Sequence, residues 1–338
     1  MSGEFTPRQV LVTGGCGFIG SNFVRHLLRS DPQVRVVNLD ALTYCGNPEN
    51  LRDVEADFGV RYRFLHGDIR RHQDVAAAMA GCDGVVHFAA ESHVDRSIVA
   101  AHDFITTNFE GTYVLLEEAR RAGVERFLHI STDEVYGSTE VGSFTEEDRL
   151  HPSSPYSSSK AASDLLVLSY RTTFGSPVLI TRSTNNFGPY QFPEKLIPLF
   201  VSNLLEGKPV PLYGDGLNVR DWLYVVDNCT GLETVLRRGE PGQIYNLGAG
   251  NEVSNRLITD TVLEVLGAGQ DMVQYVTDRP GHDRRYSVAT DKIRALGWSP
   301  ARDFREALQE TVNWYRLHQQ WWRPLKDAST ALSTERST

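Results

Sequence analysis

The chain has 338 residues, in which 43 Asp and Glu outnumber 34 Lys and Arg, giving a formal net charge of -9. This balance argues against a nucleic-acid backbone as the main partner, because such a partner requires a basic face that displaces counterions. The length favours one large α/β unit with a smaller lobe. No apolar run approaches the ~20 residues that span a bilayer, and the N-terminal MSGEFTPRQ lacks an apolar leader. We therefore expect a cytoplasmic protein with no membrane partner.

The cysteines stand far apart in the sequence, and no cluster of histidines has the spacing of metal ligands. This distribution favours reduced thiols in the cytosol over a disulfide framework, and it predicts no metal site. The cysteines are Cys16, Cys45, Cys82 and Cys229.

Short apolar runs rich in β-branched residues alternate with segments of helix length through the first half of the chain. The runs cover residues 10–13, 34–39, 62–65, 84–89, 127–131 and 178–181. The alternation predicts an α/β fold, a Rossmann-like, doubly wound parallel sheet covered by helices on both faces. Two of the helical segments are long, at residues 102–122 and 156–173, and we expect subunit contacts there.

The first strand runs into GGCGFIG, in which Gly14, Gly17 and Gly20 are spaced three apart ahead of a helix. Glycine permits the turn and a close approach of the backbone to a pyrophosphate, which the helix N-terminus attracts. Asp40 stands 20 residues after Gly20, at the end of the second strand, where its carboxylate would accept ribose hydroxyls and repel a 2′-phosphate. The pattern predicts NAD rather than NADP. The alternatives are a structural tight turn and a helix-capping aspartate.

Two further segments are expected to line the cofactor. Asp68 and Ile69 follow the third strand, where they would lie beside the adenine. The fourth strand ends in HFAAES, which places small residues where the backbone passes close to a cofactor.

After Asn185 the strand and helix rhythm loosens, with many Gly and Pro between residues 188 and 216. We predict an NAD-binding Rossmann domain over residues 1–184, which residues 219–247 rejoin. A smaller, interleaved substrate-binding lobe would comprise residues 185–218 and 248–325. Residues 326–338 are polar and predict a disordered tail.

Tyr156 and Lys160 form a YxxxK pair near the start of a helix, and their spacing puts both on one face. A lysine ammonium lowers the pKa of a neighbouring tyrosine, whose phenolate can then accept a proton from a sugar hydroxyl. An ordinary surface pair is the alternative.

Thr132, Asp133 and Glu134 end the strand before that helix, at the carboxyl edge of the sheet where α/β enzymes place their chemistry. Two close carboxylates can divide acid and base roles, because only one of them ionises readily. The alternative is a polar loop with a capping aspartate.

With these motifs, the chain resembles the dTDP-glucose 4,6-dehydratases of the extended short-chain dehydrogenase/reductase family, from Val10 to about Leu325. The resemblance is carried by TGGCGFIGSNFVR, LDALTYCGN, HGDI, AAESHVDRSI, STDEVYG, YSSSKAASD, NNFGPYQFPEKLIPLF, YGDGLNVRDWLYV and DRPGHDRRY. The threonine, aspartate and glutamate at the strand edge distinguish this family from epimerases and decarboxylases of the same fold.

The resemblance implies an NAD-dependent lyase that converts dTDP-D-glucose to dTDP-4-keto-6-deoxy-D-glucose for deoxysugar biosynthesis. Tyr156, assisted by Thr132, would take the C4 hydroxyl proton while C4 is oxidised. Glu134 would remove the C5 proton and Asp133 would protonate the departing C6 hydroxyl, after which hydride returns to C6. The resemblance also suggests a homodimer.

The resemblance further implies a set of binding residues. For the cofactor these are Gly14, Gly17, Phe18, Ile19, Gly20, Asp40, Ala41, Leu42, Thr43, Asp68, Ile69, Phe88, Ala89, Ala90, Ser92, Thr107, Tyr156, Lys160 and Asn186. For the substrate they are Ser92, Thr132, Asn185, Lys195, Leu196, Pro211, Tyr213, Arg220, Asn255, Arg279 and His282. Lys195, Arg220 and Arg279 are the cations expected at the diphosphate, although an arginine in a loop can equally be a surface ion-pair residue.

Two other functions remain compatible with parts of the pattern. A UDP- or GDP-sugar epimerase or decarboxylase would share the fold and the Tyr and Lys pair, but Asp133 and Glu134 argue against it. A catalytically silent NAD sensor would keep the glycine turn and Asp40, yet would have no use for the catalytic set.

Overall fold

Strands and helices alternate in the structure as the sequence predicts. The structure is a computed structural model that describes residues 4–278 and 284–335, with side chains as far as residue 327. The elements of the first half are β1 Gln9–Thr13, α1 Phe18–Ser30, β2 Arg35–Asp40, α2 Arg52–Phe58, β3 Tyr62–His66, α3 His72–Met79, β4 Gly84–His87, α4 Val94–Val99, α5 Ala101–Phe104, α6 Gly111–Ala122, β5 Arg126–Thr132 and α7 Pro155–Phe174. Those of the second half are β6 Val178–Ser183, β7 Asn185–Phe187, α8 Leu196–Leu205, β8 Val210–Tyr213, β9 Val219–Tyr224, α9 Val225–Arg238, β10 Ile244–Leu247, β11 Glu252–Ser254, α10 Asn255–Leu266, β12 Val273–Val276, α11 Asp291–Arg294, α12 Phe304–Leu317 and α13 Gln319–Glu335. No helix in these described ranges is long and apolar enough to cross a bilayer.

The main sheet has the order β10-β6-β5-β4-β1-β2-β3, and every neighbouring pair in it is parallel. The order reverses at β1, so the carboxyl ends of β1 and β4 frame the crevice where doubly wound folds bind ligands. The predicted fold class is confirmed, and the six predicted strands correspond to β1 to β6. The seventh strand, β10, pairs with β6 at the edge of the sheet.

Both faces of this sheet are buried, which explains why its strands read as continuous apolar runs rather than alternating ones. Val10 and Val12 of β1 belong to the core beneath α1 and α9. Leu11, between them, belongs to the core on the other face, beneath α3, α6 and α7.

The smaller lobe contains a three-stranded sheet, β11-β9-β7, and a two-stranded sheet, β12-β8. Its core includes Phe187, Ile197, Trp222 and Val262. Residues 219–247 are predicted to rejoin the main domain. Within them β9 pairs with β7 and β11, whereas the next helix, α9, packs against α1, with His26 Nε2 lying 2.6 Å from Glu233 Oε2.

The C-terminal segment contains α13, which is helical through Glu335, whereas the sequence predicts a disordered tail from residue 326. Its first turns are anchored to the lobe. Trp322 is fully buried, and Lys326 Nζ donates to Asn203 Oδ1 at 2.7 Å and Glu206 Oε2 at 3.0 Å. These contacts hold the start of α13 against the lobe. The prediction of disorder rests on the polar composition of the residues that follow.

Candidate active site

The glycine turn brings β1, α1 and the end of β4 into direct contact. Gly14 has φ +71°, and a Cβ there would lie 2.6 Å from the backbone nitrogen of Ala89. A Cβ on Gly20 would clash with the carbonyl oxygen of Gly14. Helix α1 begins just after Gly17 with no side-chain cap, so no side chain at the cap accepts from its first N–H groups. Such an end attracts an anion.

Asp40 ends β2 beside this turn and is 7% exposed. Its carboxylate accepts hydrogen bonds from Cys16 N at 2.9 Å and Leu42 N at 2.8 Å. Burial raises the pKa of Asp40, and the two N–H donors oppose that rise. Because each carboxylate oxygen keeps a second lone pair, Asp40 is fixed in orientation and can still accept from a ligand.

A cavity of about 240 Å³, called here the cofactor cavity, opens along the carboxyl edge of β1, β2 and β4. The predicted cofactor residues that line it are Gly14, Gly17, Phe18, Ile19, Gly20, Asp40, Ala41, Thr43, Asp68, Ile69, Phe88, Ala89, Ala90, Ser92, Thr107, Tyr156 and Lys160. Leu42 is not among the residues that line this cavity. The backbone N–H of Leu42 donates to the Asp40 carboxylate.

A second cavity of about 260 Å³, called here the lobe cavity, lies between the strand edge and the smaller lobe. The predicted substrate residues that line it are Asn185, Lys195, Leu196, Pro211, Tyr213, Arg220 and Asn255. Asn186, predicted for the cofactor, lines this cavity instead, while Ser92, predicted for both ligands, lines only the cofactor cavity. Arg279 and His282 lie outside the described residues.

Several buried side-chain oxygens on the lobe cavity have no hydrogen-bond partner among the described residues. They belong to Asn185, Asn186, Gln191, Glu194 and Asn255. A buried polar atom without a partner is costly, so this lining is suited to a ligand rich in hydroxyl and amide groups.

Tyr156 and Lys160 lie on one face of α7, whose start is set by a capping box between Ser154 and Ser157. Tyr156 is 9% exposed. Burial, followed by the charge of Glu134, raises the pKa of Tyr156, and a hydrogen bond with the Thr132 side chain opposes the rise.

The Lys160 ammonium is buried behind Tyr156. Its Nζ donates to the carbonyl oxygen of Ile130 at 2.7 Å and lies 3.5 Å from His129 Nε2. Burial lowers the pKa of Lys160 to about 8, and Asp164 opposes this effect. The lysine is therefore held as a cation that can lose its proton within the physiological range.

The strand edge after β5 forms a short 3-10 turn, Asp133–Tyr136. Thr132 Oγ1 accepts from Glu134 N at 3.3 Å and donates to Asp133 Oδ1 at 3.3 Å. Thr132 is thus buried below the cavities and is not among the lining residues of either, whereas Glu134 lines the lobe cavity.

The two carboxyl groups of this turn differ in surroundings. Asp133 is 3% exposed, and its Oδ2 has no hydrogen-bond partner in the described part of the chain. Burial, then the charges of Glu134 and Asp221, raises the pKa of Asp133 well above its usual range. Asp133 is therefore suited to donate a proton, and Glu134, facing the lobe cavity, to accept one.

Sequence reasoning missed the residues that connect the two cavities. Gln191 and Glu194, with the predicted Lys195, line both. The Arg96 guanidinium lies 3.4 Å from Glu194 Oε2 and 3.7 Å above the ring of Tyr44. The sequence signal for Gln191 and Glu194 was their place in the Gly- and Pro-rich segment FGPYQFPEK.

Sequence reasoning also missed Asn108, in the π-helical segment Ile105–Glu110 between α5 and α6. Its side chain bonds both backbone groups of Glu91 and donates to Ser159 Oγ at 2.8 Å. A π-helical segment inside a predicted α-helix often marks a functional site, and here it ties the cavity loop to α7.

The fold and this site together define a dinucleotide-dependent enzyme of the extended short-chain dehydrogenase/reductase class. Among the side chains that the structure describes, no group of His, Cys, Asp and Glu is arranged to hold a metal ion.

Comparison with known proteins defines the family. Residues 11–311 match the family described as GDP-mannose 4,6 dehydratase. The dTDP-glucose 4,6-dehydratase of Streptomyces antibioticus is 52% identical over 324 residues, covering 94% of this chain and 95% of that protein. The chain belongs to this family of nucleotide-sugar dehydratases and, within it, to the dTDP-glucose 4,6-dehydratases.

Solved structures support the same assignment. A dTDP-glucose 4,6-dehydratase from Streptomyces venezuelae with NAD bound has a TM-score of 0.91 and 54% identity, over 94% of this chain and 99% of its own. A UDP-glucose 4-epimerase from Thermus thermophilus, in complex with NAD, has a TM-score of 0.84 and 33% identity, over 91% and 99%. The backbone is thus shared with epimerases, whereas the sequence is nearer to the dehydratase.

Proposed function

We propose that this protein is an NAD-dependent dTDP-glucose 4,6-dehydratase, a hydro-lyase that yields dTDP-4-keto-6-deoxy-D-glucose. The observation that carries the proposal is the pair of carboxyl groups in unlike surroundings beside Tyr156. Asp133 is buried with a raised pKa, and Glu134 lines the lobe cavity. An epimerase needs only the oxidation at C4, and it has no use for a second acid and base.

The cofactor cavity fits NAD. At Gly14 the backbone lies so close to Ala89 that a Cβ would not fit, as expected of the tight glycine turn at a pyrophosphate site, and the uncapped start of α1 supplies N–H donors. Asp40 would accept from the adenosine ribose, and its charge disfavours a 2′-phosphate. When bound, NAD supplies reversible acceptance of a hydride from the sugar.

Tyr156 would act as the base toward the sugar C4 hydroxyl. Its pKa is raised in the present surroundings, so ionisation depends on the Lys160 ammonium and on the Thr132 hydrogen bond. The ammonium favours the phenolate by its positive charge, and the Thr132 hydroxyl, which donates to Asp133 Oδ1 in this structure, would favour it by turning its hydrogen to the Tyr156 oxygen.

Glu134 would then remove the C5 proton, which the C4 ketone has made acidic. Asp133, whose neutral form burial favours because it raises the pKa, would give its proton to the C6 hydroxyl as water leaves. The two steps need one acid and one base, and the more buried Asp133 is the better placed of the two carboxyl groups to be the acid.

The lobe cavity would hold the nucleotide sugar. Lys195 and Arg220 line it, and they are the described cations best placed for a diphosphate. Arg220 is only 6% exposed and stacks on Tyr286, with its guanidinium carbon 4.3 Å from the ring centre. This stacking fixes the direction of the guanidinium before a ligand arrives.

Product mass tests the proposed function. The purified protein, without added NAD, is incubated separately with dTDP-glucose, UDP-glucose and GDP-mannose. We expect loss of one water from dTDP-glucose. An unchanged mass with every substrate would favour an epimerase or an NAD sensor.

A matched pair of tyrosine variants places the activity at this site. Tyr156→Phe should reduce kcat by roughly 10²–10⁴-fold, because the base is lost. Tyr170→Phe removes a hydroxyl from the same helix, one that donates to Glu117 at 2.7 Å, and should leave kcat within about twofold. Equal losses in the two variants would contradict a catalytic role for Tyr156.

We further propose a homodimer formed through helices α4 to α7. These helices pack on one another, and the segment that they span exposes several large apolar side chains, which favours a protein contact surface there. The exposed side chains are Ile98, Val99, Ile105, Tyr113 and Leu165.

We also propose a cytoplasmic location. The support is the state of Cys16, Cys45, Cys82 and Cys229, which are all free thiols. Widely spaced free thiols are typical of reducing compartments.

A further inference from the structure

A buried group of charged side chains lies beneath Tyr156 and Lys160 and has no part in the proposed chemistry. Asp164 of α7 is 0% exposed and Arg182 of β6 is 2% exposed. Asp164 Oδ2 accepts from Arg182 Nε at 2.9 Å. Asp164 lies one helical turn after Lys160, so its charge acts on the ammonium.

The Arg182 guanidinium extends from Asp164 to the catalytic turn. Its Nη1 donates to the Tyr136 hydroxyl at 2.8 Å, and its carbon lies 4.7 Å from the centre of the same ring. The Tyr136 hydroxyl in turn donates to Asn246 Oδ1 at 2.8 Å. Tyr136 closes the turn Asp133–Tyr136, so one guanidinium joins the helix of Lys160 to the turn of the two carboxyl groups.

Among the charged and titratable side chains around Lys160, Asp164 is the carboxylate that favours the charged form of the lysine. His129 on β5 and His87 on β4 are fully buried, and burial together with the Lys160 charge lowers the pKa of each well below its usual range. Both rings are therefore neutral. Arg182 on β6 adds a second positive charge, and Asp164 is the anion bonded to it. An unpaired charge in this position would be expensive to bury.

We propose that Asp164 and Arg182 are a positioning pair, which fixes Lys160 on one side and, through Tyr136, the Asp133 and Glu134 turn on the other. Neither member of the pair lines the cofactor cavity or the lobe cavity. The effect of the pair is to fix the position of Lys160, which serves the oxidation, relative to Asp133 and Glu134, which serve the elimination. The inference rests on the proposed dehydration, since it assigns both groups to one reaction.

The test compares single and compensated variants for dTDP-glucose dehydration, with kcat, KM and pH profiles recorded for each. Asp164→Asn should reduce kcat by at least about tenfold, with KM within about threefold. Its alkaline limb should move to lower pH, because the lost carboxylate had favoured the charged form of Lys160. Tyr136→Phe should reduce kcat without moving that limb, because it removes no charge.

The double variant D164N/R182Q separates positioning from stability. Neutralising both partners removes the unpaired charge and should restore the thermal midpoint towards that of the wild type, while kcat stays low. Asp83→Asn is the matched control. Asp83 is a buried carboxylate that accepts a hydrogen bond from Arg8 at 2.9 Å, at the amino ends of the strands of the same sheet. The kcat of the Asp83→Asn variant should therefore be unchanged.

Wild-type kcat in the folded double variant, or an unmoved alkaline limb in Asp164→Asn, would overturn the proposal. If Asp164→Asn does not fold, Tyr136→Phe decides, and wild-type kcat in that variant would overturn it equally. Wild-type protein assayed in parallel keeps the two hypotheses apart, because failure of the wild type to release water contradicts the proposed function itself.

Discussion

Asp133 and Glu134 are adjacent in the sequence, yet they have different surroundings. The Asp133 side chain is buried, and its pKa is raised well above the usual range by burial and then by the charge of Glu134. Glu134 faces the lobe cavity. At the level of single residues, the proposed assignment of Asp133 as acid and Glu134 as base therefore rests on burial and not on residue type.

Exchange of the substrate C5 hydrogen with solvent deuterium distinguishes the two roles. Glu134→Gln should abolish this exchange, because the base is lost, and should reduce kcat by roughly 10²–10⁴-fold. Asp133→Asn should reduce kcat comparably but leave exchange detectable, since its loss affects departure of the C6 hydroxyl. Exchange that survives in Glu134→Gln would assign the base elsewhere.

The pH dependence of kcat/KM should reflect Lys160. Burial lowers the pKa of this lysine to about 8, so below that pH its ammonium is present and favours the Tyr156 phenolate. As pH rises through about 8 the ammonium loses its proton, and kcat/KM should fall. Lys160→Arg keeps a cation at every accessible pH and should move the fall upward. An identical alkaline limb in that variant would assign it to another group.

Motif residues were predictable one by one, because short sequences fix their local geometry. A helix alone is enough to place Tyr156 and Lys160 on one face. Asp133 and Glu134 come directly after β5 in the chain, so a predicted strand is enough to place them at the end of the sheet. Gln191 was not predictable. Its place on both cavities depends on distant contacts, among them the Tyr315 hydroxyl, which donates to its carbonyl oxygen, and a positive φ of 69° at the neighbouring Tyr190.

At the scale of elements, the turn between β1 and α1 is the part of the cofactor cavity with least room for change. Gly14→Ala should weaken NAD binding by at least about tenfold, since the new Cβ would meet the Ala89 backbone at 2.6 Å. Titration of NAD into the cofactor-free protein measures this change.

Gly267→Ala is the matched control for that substitution. Gly267 also has φ +67°, but a Cβ there meets nothing within 4 Å, so the variant carries a similar backbone strain of about 1–2 kcal/mol without the clash. Equal loss of NAD affinity in the two variants would show that strain, and not contact with Ala89, is responsible.

Periodicity predicted the elements of the main sheet well and those of the lobe poorly. Strands β1 to β6 are buried on both faces, so each leaves a continuous apolar run. Strand β9, VRDWLY, contains Arg220 and Asp221 and so leaves no continuous apolar run, and its partners β7 and β11 are distant in sequence and only three residues long. Its sheet membership is decided by tertiary pairing, which no local pattern contains.

At the scale of the whole molecule, the two cavities share a wall formed by Gln191, Glu194 and Lys195. Cofactor and sugar would therefore meet at the carboxyl edge of β5, where Tyr156 approaches from α7. Oxidation at C4 and elimination across C5 and C6 can then use a single bound orientation of the sugar.

The proposed dimer is testable by charge insertion. Leu165→Glu places a carboxylate on the exposed apolar face of α7, where the wild-type side chain is 61% exposed, and should convert the dimer to a monomer in sedimentation velocity. Val60→Glu alters an apolar side chain that is 94% exposed in another part of the chain and should remain dimeric. A dimeric Leu165→Glu variant would place the interface elsewhere.

Following deuterium from C4 of dTDP-glucose through one conversion, with no cofactor added to the purified protein, tests the proposed reaction most directly. We expect a product that has lost one water and carries the deuterium at C6, because the hydride taken from C4 is returned within the same site. A product of unchanged mass, or a dehydrated product whose C6 lacks the label, would overturn the proposed reaction.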